Sequence, residues 1–251
     1  MKLEFLIEKK YIFLHAFNQN QHDEPFRGWS RFTLDKWNKY PQECYFLAGF
    51  AEWPLLRKKS LKVLATNSEK LLEEWLNTPQ VKRLIKETQK YRDWLEEEWN
   101  KKGEKALIEL EKIIRILLPK KKISVYVTHP KLKNGMALNP EIIVWGHPED
   151  WLNYSIIYLC HEIMHILTWD EKVDTKTMHA IIELATDNEL RIRLNKRGKY
   201  FKEGEFDVGH PKLKKLEKNM YPFWKKYLKK PKQNLKQFIE LQKKKTNKYN
   251  K

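Results

Sequence analysis

The chain has 251 residues, of which 41% are hydrophobic, enough for one large domain or two small ones with a filled core. Ten Trp, eleven Tyr and eleven Phe exclude a disordered polymer, because large rings recover ordering entropy when buried, so the mean hydropathy of -0.75 reflects charge. No apolar run approaches the roughly 18 to 20 residues needed to cross a bilayer, which excludes a membrane-spanning helix. The net charge of +17 is uneven: Pro211 to Lys251 holds 15 Lys and two acids, Glu217 and Glu240, for +13, leaving +4 on the first 210 residues.

The N-terminus is apolar in places, but Glu4, Glu8, Lys9 and Lys10 interrupt any signal-peptide core. Two cysteines, Cys44 and Cys160, are too few for a disulfide framework. Both features point to a cytoplasmic protein. Residues 3 to 17 read as a strand, or as a strand running into a short helix. From Trp29 to Trp53, punctuated by Pro41 and Pro54, short helices are expected, packed by Trp29, Phe32, Trp37, Tyr45, Phe46 and Phe50. Asn67 or Ser68 is the expected cap of a helix reaching about Trp75. Thr78-Pro79 opens a long helical stretch with Pro at its first position; Gly103 is a candidate break, and Pro119 the stop after Leu117.

The pattern then changes. Ile123 to Val127 and Ile142 to Trp145 are short and β-branched, with Gly135, Pro140 and Gly146 marking turns, so two strands precede the next helix. That helix is expected to open at Pro148-Glu149-Asp150 and to run to about Thr168. It is apolar on nearly every side, as suits the middle of a domain. A second helix, capped by Thr175 or Thr177, reaches about Leu194. Residues 199 to 210 read as a loop, and helices from Pro211 to about Leu228 and from Pro231 to about Gln242 close the chain.

The central helix carries His161-Glu162-Ile163-Met164-His165. Residues four apart in a helix lie about 40° apart around the axis, so both imidazoles can reach one ion. Zinc suits neutral imidazole nitrogen and tetrahedral geometry. Glu162, next to the first histidine, lies beside such an ion, where its carboxylate can accept a proton from an acidified water. Two histidines leave a catalytic zinc one protein ligand short, and the stretch Glu183-Leu184-Ala185-Thr186-Asp187 on the following helix offers candidates.

This pairing of H-E-x-x-H with a downstream E-x-x-x-D resembles the gluzincins, the thermolysin-like and aminopeptidase-like zinc metallopeptidases. The resemblance covers about Ile123 to Leu194, and the 18 positions from His165 to Glu183 fall within the family's range. It implies Zn²⁺ held by His161, His165 and Glu183, with Asp187 orienting His161. Glu183 and Asp187 would share one helix face, whereas Glu189 lies far round it and reads as surface. His179, one turn before Glu183, reads as a non-ligand. The family also takes an oxyanion donor from a downstream Tyr or His. Tyr200, His210 and Tyr221 are available, and His210 is the choice made here. Cys160 reads as an inert buried thiol. Zincins commonly bind substrate along a sheet edge, which makes Met136 to Trp145 a candidate edge or else an ordinary core strand.

The expected architecture is mainly α with a small β-sheet (α+β). A helical, aromatic-rich region spans 1–119, a zincin-like catalytic core 120–210, and basic helices and tail 211–251. The expected function is a zinc-dependent peptidase acting on a peptide or protein substrate. The rival is a basic nucleic-acid-binding or scaffolding protein with a non-catalytic zinc site. A third reading is a latent peptidase whose N-terminal region covers the cleft. The C-terminal lysines are read as a solvated face over Leu213, Leu216, Met220, Phe223, Trp224, Leu228, Leu235, Phe238 and Leu241, or as a weak electrostatic attraction for nucleic acid or acidic proteins.

Overall fold

The computed structural model describes residues 1–18, 24–49 and 60–249, so Phe50, Trp53 and Pro54 of the aromatic stretch lie outside the described residues. Strand β1 (Lys2–Leu6) leads into helix α1 (Lys9–Asn18), followed by α2 (Trp29–Lys39), α3 (Pro41–Ala48), α4 (Leu61–Leu76) and α5 (Pro79–Ile114). Then come β2 (Lys122–Val127), β3 (Asn134–Asn139), β4 (Ile142–Gly146) and the motif helix α6 (Tyr154–Leu167). Helix α7 (Thr175–Glu183) passes through a π-helical segment (Leu184–Leu190) into α8 (Arg191–Asn195). A hairpin of β5 (Lys202–Glu203) and β6 (Phe206–Asp207) precedes α9 (Lys214–Leu228) and α10 (Leu235–Tyr249). The fold is mainly α with a small sheet, as expected. Among the described residues no helix is long and apolar enough to cross a membrane.

The main sheet has the order β1-β2-β4-β3, with β1, β2 and β4 parallel and β3 antiparallel to β4 at the edge. Its register aligns Phe5, Val125 and Ile143 across the three parallel strands, and all three are buried, because period-two alternation turns one face of each strand to the core. The expected pair of strands before the motif helix is therefore three, and the stretch from Met136 to Trp145 is not one edge. β3 is the edge, while β4 lies inside the sheet. The segment 199–210, expected as a loop, contains the β5–β6 hairpin.

Several helix boundaries differ for local reasons. α4 starts at Leu61, capped by the Ser60 hydroxyl, which accepts from Val63 N at 3.4 Å; Ser68 is instead buried within the helix. α5 runs unbroken through Gly103, because that glycine lies under the Trp99 ring, where an added Cβ would come within 2.5 Å of ring carbon Cε2. It stops at Arg115, whose backbone turns left-handed (φ 55°). The Arg115 guanidinium then donates to the carbonyls of Leu228 and Gln233, both at 2.8 Å, and closes the end of α9. α6 begins at Tyr154 rather than near Pro148, with Glu149 reaching forward to accept from Ser155 N at 2.8 Å. Asp174, not a threonine, caps α7 by accepting from Thr177 N at 2.9 Å.

Two cores result. The first, aromatic, is built by Phe13, Phe17, Trp29, Phe32 and Trp75 from α1, α2 and α4, with Val81 and Leu84 of α5. Trp37 stacks on Phe17 at 5.8 Å and meets Tyr45 edge-on at 5.1 Å. The second packs the sheet against the later half of α5, α6, the 183–190 stretch and the C-terminal helices. The cores do not follow the compositional segments: β1 pairs with β2 across position 119, and Trp224, Tyr227 and Phe238 enter the main core from beyond position 211. Of the apolar residues expected inside the basic helices, Phe223 and Leu241 are exposed, while Leu213, Met220, Trp224, Leu235 and Phe238 are buried.

Candidate metal centre

α6 is held by apolar contacts on most sides, with Ile156, Ile157, Leu159, Cys160, Ile163 and Met164 all buried. That packing fixes the direction of the remaining face, which carries His161, Glu162 and His165 into a cleft of about 520 Å³. Cys160, next to His161, is fully buried and its thiol is pushed up by that burial, in keeping with an inert role.

Three imidazoles converge there. His161 Nε2 lies 3.2 Å from His165 Nε2 and 3.2 Å from His179 Nε2. On its other side, His161 Nδ1 is 2.8 Å from Asp187 Oδ1, deep in the protein where Asp187 is fully buried. A carboxylate there accepts the Nδ1 proton, which in the neutral ring makes Nε2 the lone-pair nitrogen facing the other two rings. Asp187 thus stands where the sequence reading put it, but along a π-helical path. The Asn188 side chain donates to the Glu183 carbonyl at 2.9 Å, answering a backbone group at the start of the π segment.

Glu183 stands one step away from this trio. The ligand atoms that gather within 4.8 Å of one another are those of His161, His165 and His179 in one group, and of His179, Glu183 and His210 in a second. Glu183 Oε1 is 3.6 Å from His179 Nε2 and accepts twice from His210, from the backbone N–H at 3.0 Å and from ring Nδ1 at 2.5 Å. Gly209 makes that approach possible: its φ of +80° suits glycine, and a Cβ there would collide with Glu183 Oε2. Behind Glu183, the buried Glu217 of α9 is paired with Lys214 at 3.3 Å. Burial and the neighbouring Glu183 raise the Glu217 carboxyl, while the hydrogen bonds from His210 hold Glu183 low against its own burial.

The opposite wall belongs to the sheet. Glu162, 6% exposed, accepts from Ala137 N of β3 at 2.8 Å. Burial raises its carboxyl above the ordinary range, which makes the carboxylate a stronger base. Gly135 of β3 leaves room for the Trp145 ring, and Met136, Trp145, His147, Tyr154 and Tyr158 extend the cleft beyond the histidines. The hairpin side is pinned by Arg191. Fully buried, it pairs with Glu203, donates to Lys199 O at 2.6 Å, and donates through Nε to Asp187 O at 2.7 Å.

The donors fit a zinc ion. Tetrahedral bonds of about 2.0–2.1 Å put ligand nitrogens roughly 3.3 Å apart, close to the two 3.2 Å separations here. Unprotonated nitrogens at that distance repel one another unless a proton or a cation lies between them. Burial and the neighbouring imidazoles lower His165 to about 3 and His179 to about 4, so both rings are neutral at pH 7. Burial opposes charge on His161 too, but Asp187 overcomes it and lifts that ring to about 9. A cation among the nitrogens would take the place of that second proton. Asp187 Oδ2 is buried with no hydrogen-bond partner, and Glu183 shares a hydrogen bond with the neighbouring Glu217 carboxyl, so both acids bring negative character near the trio.

Of the sequence-derived candidates, His161, Glu162, His165, Glu183, Asp187 and His210 all meet at this centre. His179, set aside as a non-ligand, belongs with them; its i, i+4 spacing to Glu183 was the available signal. Tyr200 and Tyr221 do not line the cleft: Tyr200 OH bonds Glu189 and accepts from Trp224 Nε1 at 3.1 Å, and its ring meets Tyr221 at 4.5 Å. Glu189 is correspondingly not a surface residue, being only 14% exposed and held by Arg193 at 2.7 Å. Tyr158, three positions before His161, was overlooked because nothing in its local sequence separates it from the other aromatics. Comparison with protein-family models, with curated proteins and with solved structures found no match, so the chemistry of these side chains carries the functional argument.

Proposed function

We propose that the chain is a zinc-dependent peptidase. The observation that carries this reading is the convergence, in one cleft, of the imidazole Nε2 atoms of His161 and His165 with the buried carboxylate of Glu162 on the adjoining wall. Bound zinc would supply a Lewis acid for the scissile carbonyl and a water far more acidic than bulk water. Glu162 accepts that water's proton at its carboxylate and delivers it to the departing amine, a shuttle favoured by the raised affinity of the buried group for a proton. Asp187 holds the His161 tautomer by accepting at Nδ1. His210 donates Nδ1–H to Glu183, which favours its imidazolium form, and in that form Nε2 also carries a proton to donate to the developing oxyanion. The acidic residue Glu183, which the gluzincin resemblance implies as a ligand, remains beside the site in contact with His179 and His210.

A site kept for stability alone has no use for a general base, and Glu162 weighs against a purely nucleic-acid-binding or scaffolding role. The test is metal analysis joined to a peptide-library digest read by mass spectrometry. The purified protein is expected to carry about one equivalent of zinc and to cleave peptides, and Glu162→Gln to keep the zinc while losing about 100-fold or more in kcat. Cleavage that survives this substitution, or a protein that takes up no zinc, would overturn the reading.

A further inference from the structure

We infer that His179 is the third protein ligand of this ion, and that Glu183 is not a ligand but the residue that positions His210. The inference rests on the metal-site reading above and departs from the His-His-Glu set that the motif resemblance implies.

The geometry divides the five side chains into two jobs. His179 Nε2 stands the same 3.2 Å from His161 Nε2 as His165 Nε2 does, so the two flank the central nitrogen alike. Each of these rings presents its Nε2 to the central nitrogen, and an imidazole ligand carries no charge of its own. Glu183 Oε1, by contrast, lies 3.6 Å from His179 Nε2 but outside the group formed by His161, His165 and His179, and it accepts from both His210 donors. Turning Oε1 toward the trio would strand two N–H groups of His210 at once. The strap that carries them is braced, because Gly209 is held left-handed against Glu183 and Lys214 of the next helix bonds the Val208 carbonyl. The Glu183–His210 pair therefore has a task of its own: it locks the ring with Nδ1 inward and its Nε2 turned away from Glu183.

The consequence is chemical. Three imidazoles would leave a bound dication its full charge, where a glutamate ligand would reduce it by one, so such a ligand set would supply a stronger acidification of bound water.

The test uses Co²⁺ as the probe metal, titrated into the metal-free protein and followed by its visible absorption and by competition with a chelator. His179→Phe, which keeps a ring but removes both nitrogens, is expected to weaken Co²⁺ binding by more than the roughly 10- to 100-fold typical of losing an outer partner, and Glu183→Gln by no more than that range. His179→Cys supplies a readout that a purely structural role cannot give: a thiolate-to-cobalt charge-transfer band in the near ultraviolet appears only if residue 179 touches the ion, even should the Phe variant fail to fold. Tight binding in His179→Phe with loss in Glu183→Gln would overturn the inference while leaving the peptidase reading intact. Equal large losses in both variants would also overturn it, since both residues would then be ligands. A wild-type protein that binds no Co²⁺ or Zn²⁺ would bring down both readings together.

Discussion

The aromatic core between α1, α2 and α4 and the stretch from Glu183 to Arg191 are both deeply buried, yet they are made of opposite materials. The first hides Phe13, Phe17, Trp29 and Trp75, side chains whose burial is favourable in almost any arrangement that excludes water. The second hides Glu183, Thr186, Asp187, Asn188 and Arg191 at zero exposure within a span of nine residues. Polar groups at such depth cost stability unless each finds its partner, and here nearly all do: Asp187 with His161, Arg191 with Glu203, Asn188 with the Glu183 carbonyl and the Phe201 N–H. The exception is Asp187 Oδ2, on the carboxylate that holds His161. The aromatic region stabilises the fold, and the polar stretch spends stability on geometry.

That contrast can be broken at chosen points. The largest effect is expected from Arg191→Met, which leaves the Glu203 carboxylate to the longer contact with exposed Arg197 (3.6 Å) and frees the Asp187 carbonyl: about 3–5 kcal/mol lost in urea unfolding, accompanied by weaker zinc binding. The pair Arg191→Met with Glu203→Leu should regain most of the stability but not the metal affinity. Recovery of both would show that the ion pair does not orient the site. In the aromatic core, Leu84→Ala should cost about 2–5 kcal/mol by leaving a cavity, with zinc affinity unchanged. A matching loss of metal binding there would mean that the two regions are not energetically separate.

The smallest effect concerns pH in the metal-free protein. His161 is raised to about 9, so the folded state holds a proton that the unfolded chain releases near its ordinary value of 6.5; stability from this ring is complete below pH 6.5 and lost as pH climbs through 9. His165 and His179, lowered to about 3 and about 4, act in the opposite sense, because below pH 6.5 the unfolded chain binds protons that the folded rings refuse. Thermal melts of the metal-free protein should therefore show their best stability near pH 6.5 with a decline on each side. The alkaline decline should become shallower in Asp187→Asn, keeping the part contributed by the raised Glu217 carboxyl. An undiminished decline there would show that His161 does not contribute to it.

The strands and helices around the centre were legible because their signals are short in range. Ile123 to Val127 alternates, Thr78-Pro79 opens a helix, and the i, i+4 spacing of His161 and His165 survives any packing that keeps α6 helical. Errors gathered where a distant partner decided. β3 was missed because Asn134 to Asn139 is polar and half exposed, paired on one side only, while Gly103 is a local case, covered by Trp99 one helical turn before it. Glu189 read as surface because the helical wheel places it away from Glu183, yet Tyr200 and Arg193 close over it.

The sequence by itself determined that the chain is mainly helical, that two histidines and a glutamate share one face of an apolar helix, and that Asp187 follows on the next. These are properties of periodicity, which a local stretch of chain imposes on itself. Tertiary structure alone decided that His179 completes the ring of nitrogens, that Glu183 turns to His210, and that Tyr200 and Tyr221 stay out of the cleft. Each of those outcomes depends on the angle between α6 and α7, the π-helical turn after Glu183 and the left-handed backbone at Gly209. Nothing in residue spacing encodes those angles; they are set by how the apolar faces of α5, α6 and the C-terminal helices pack together.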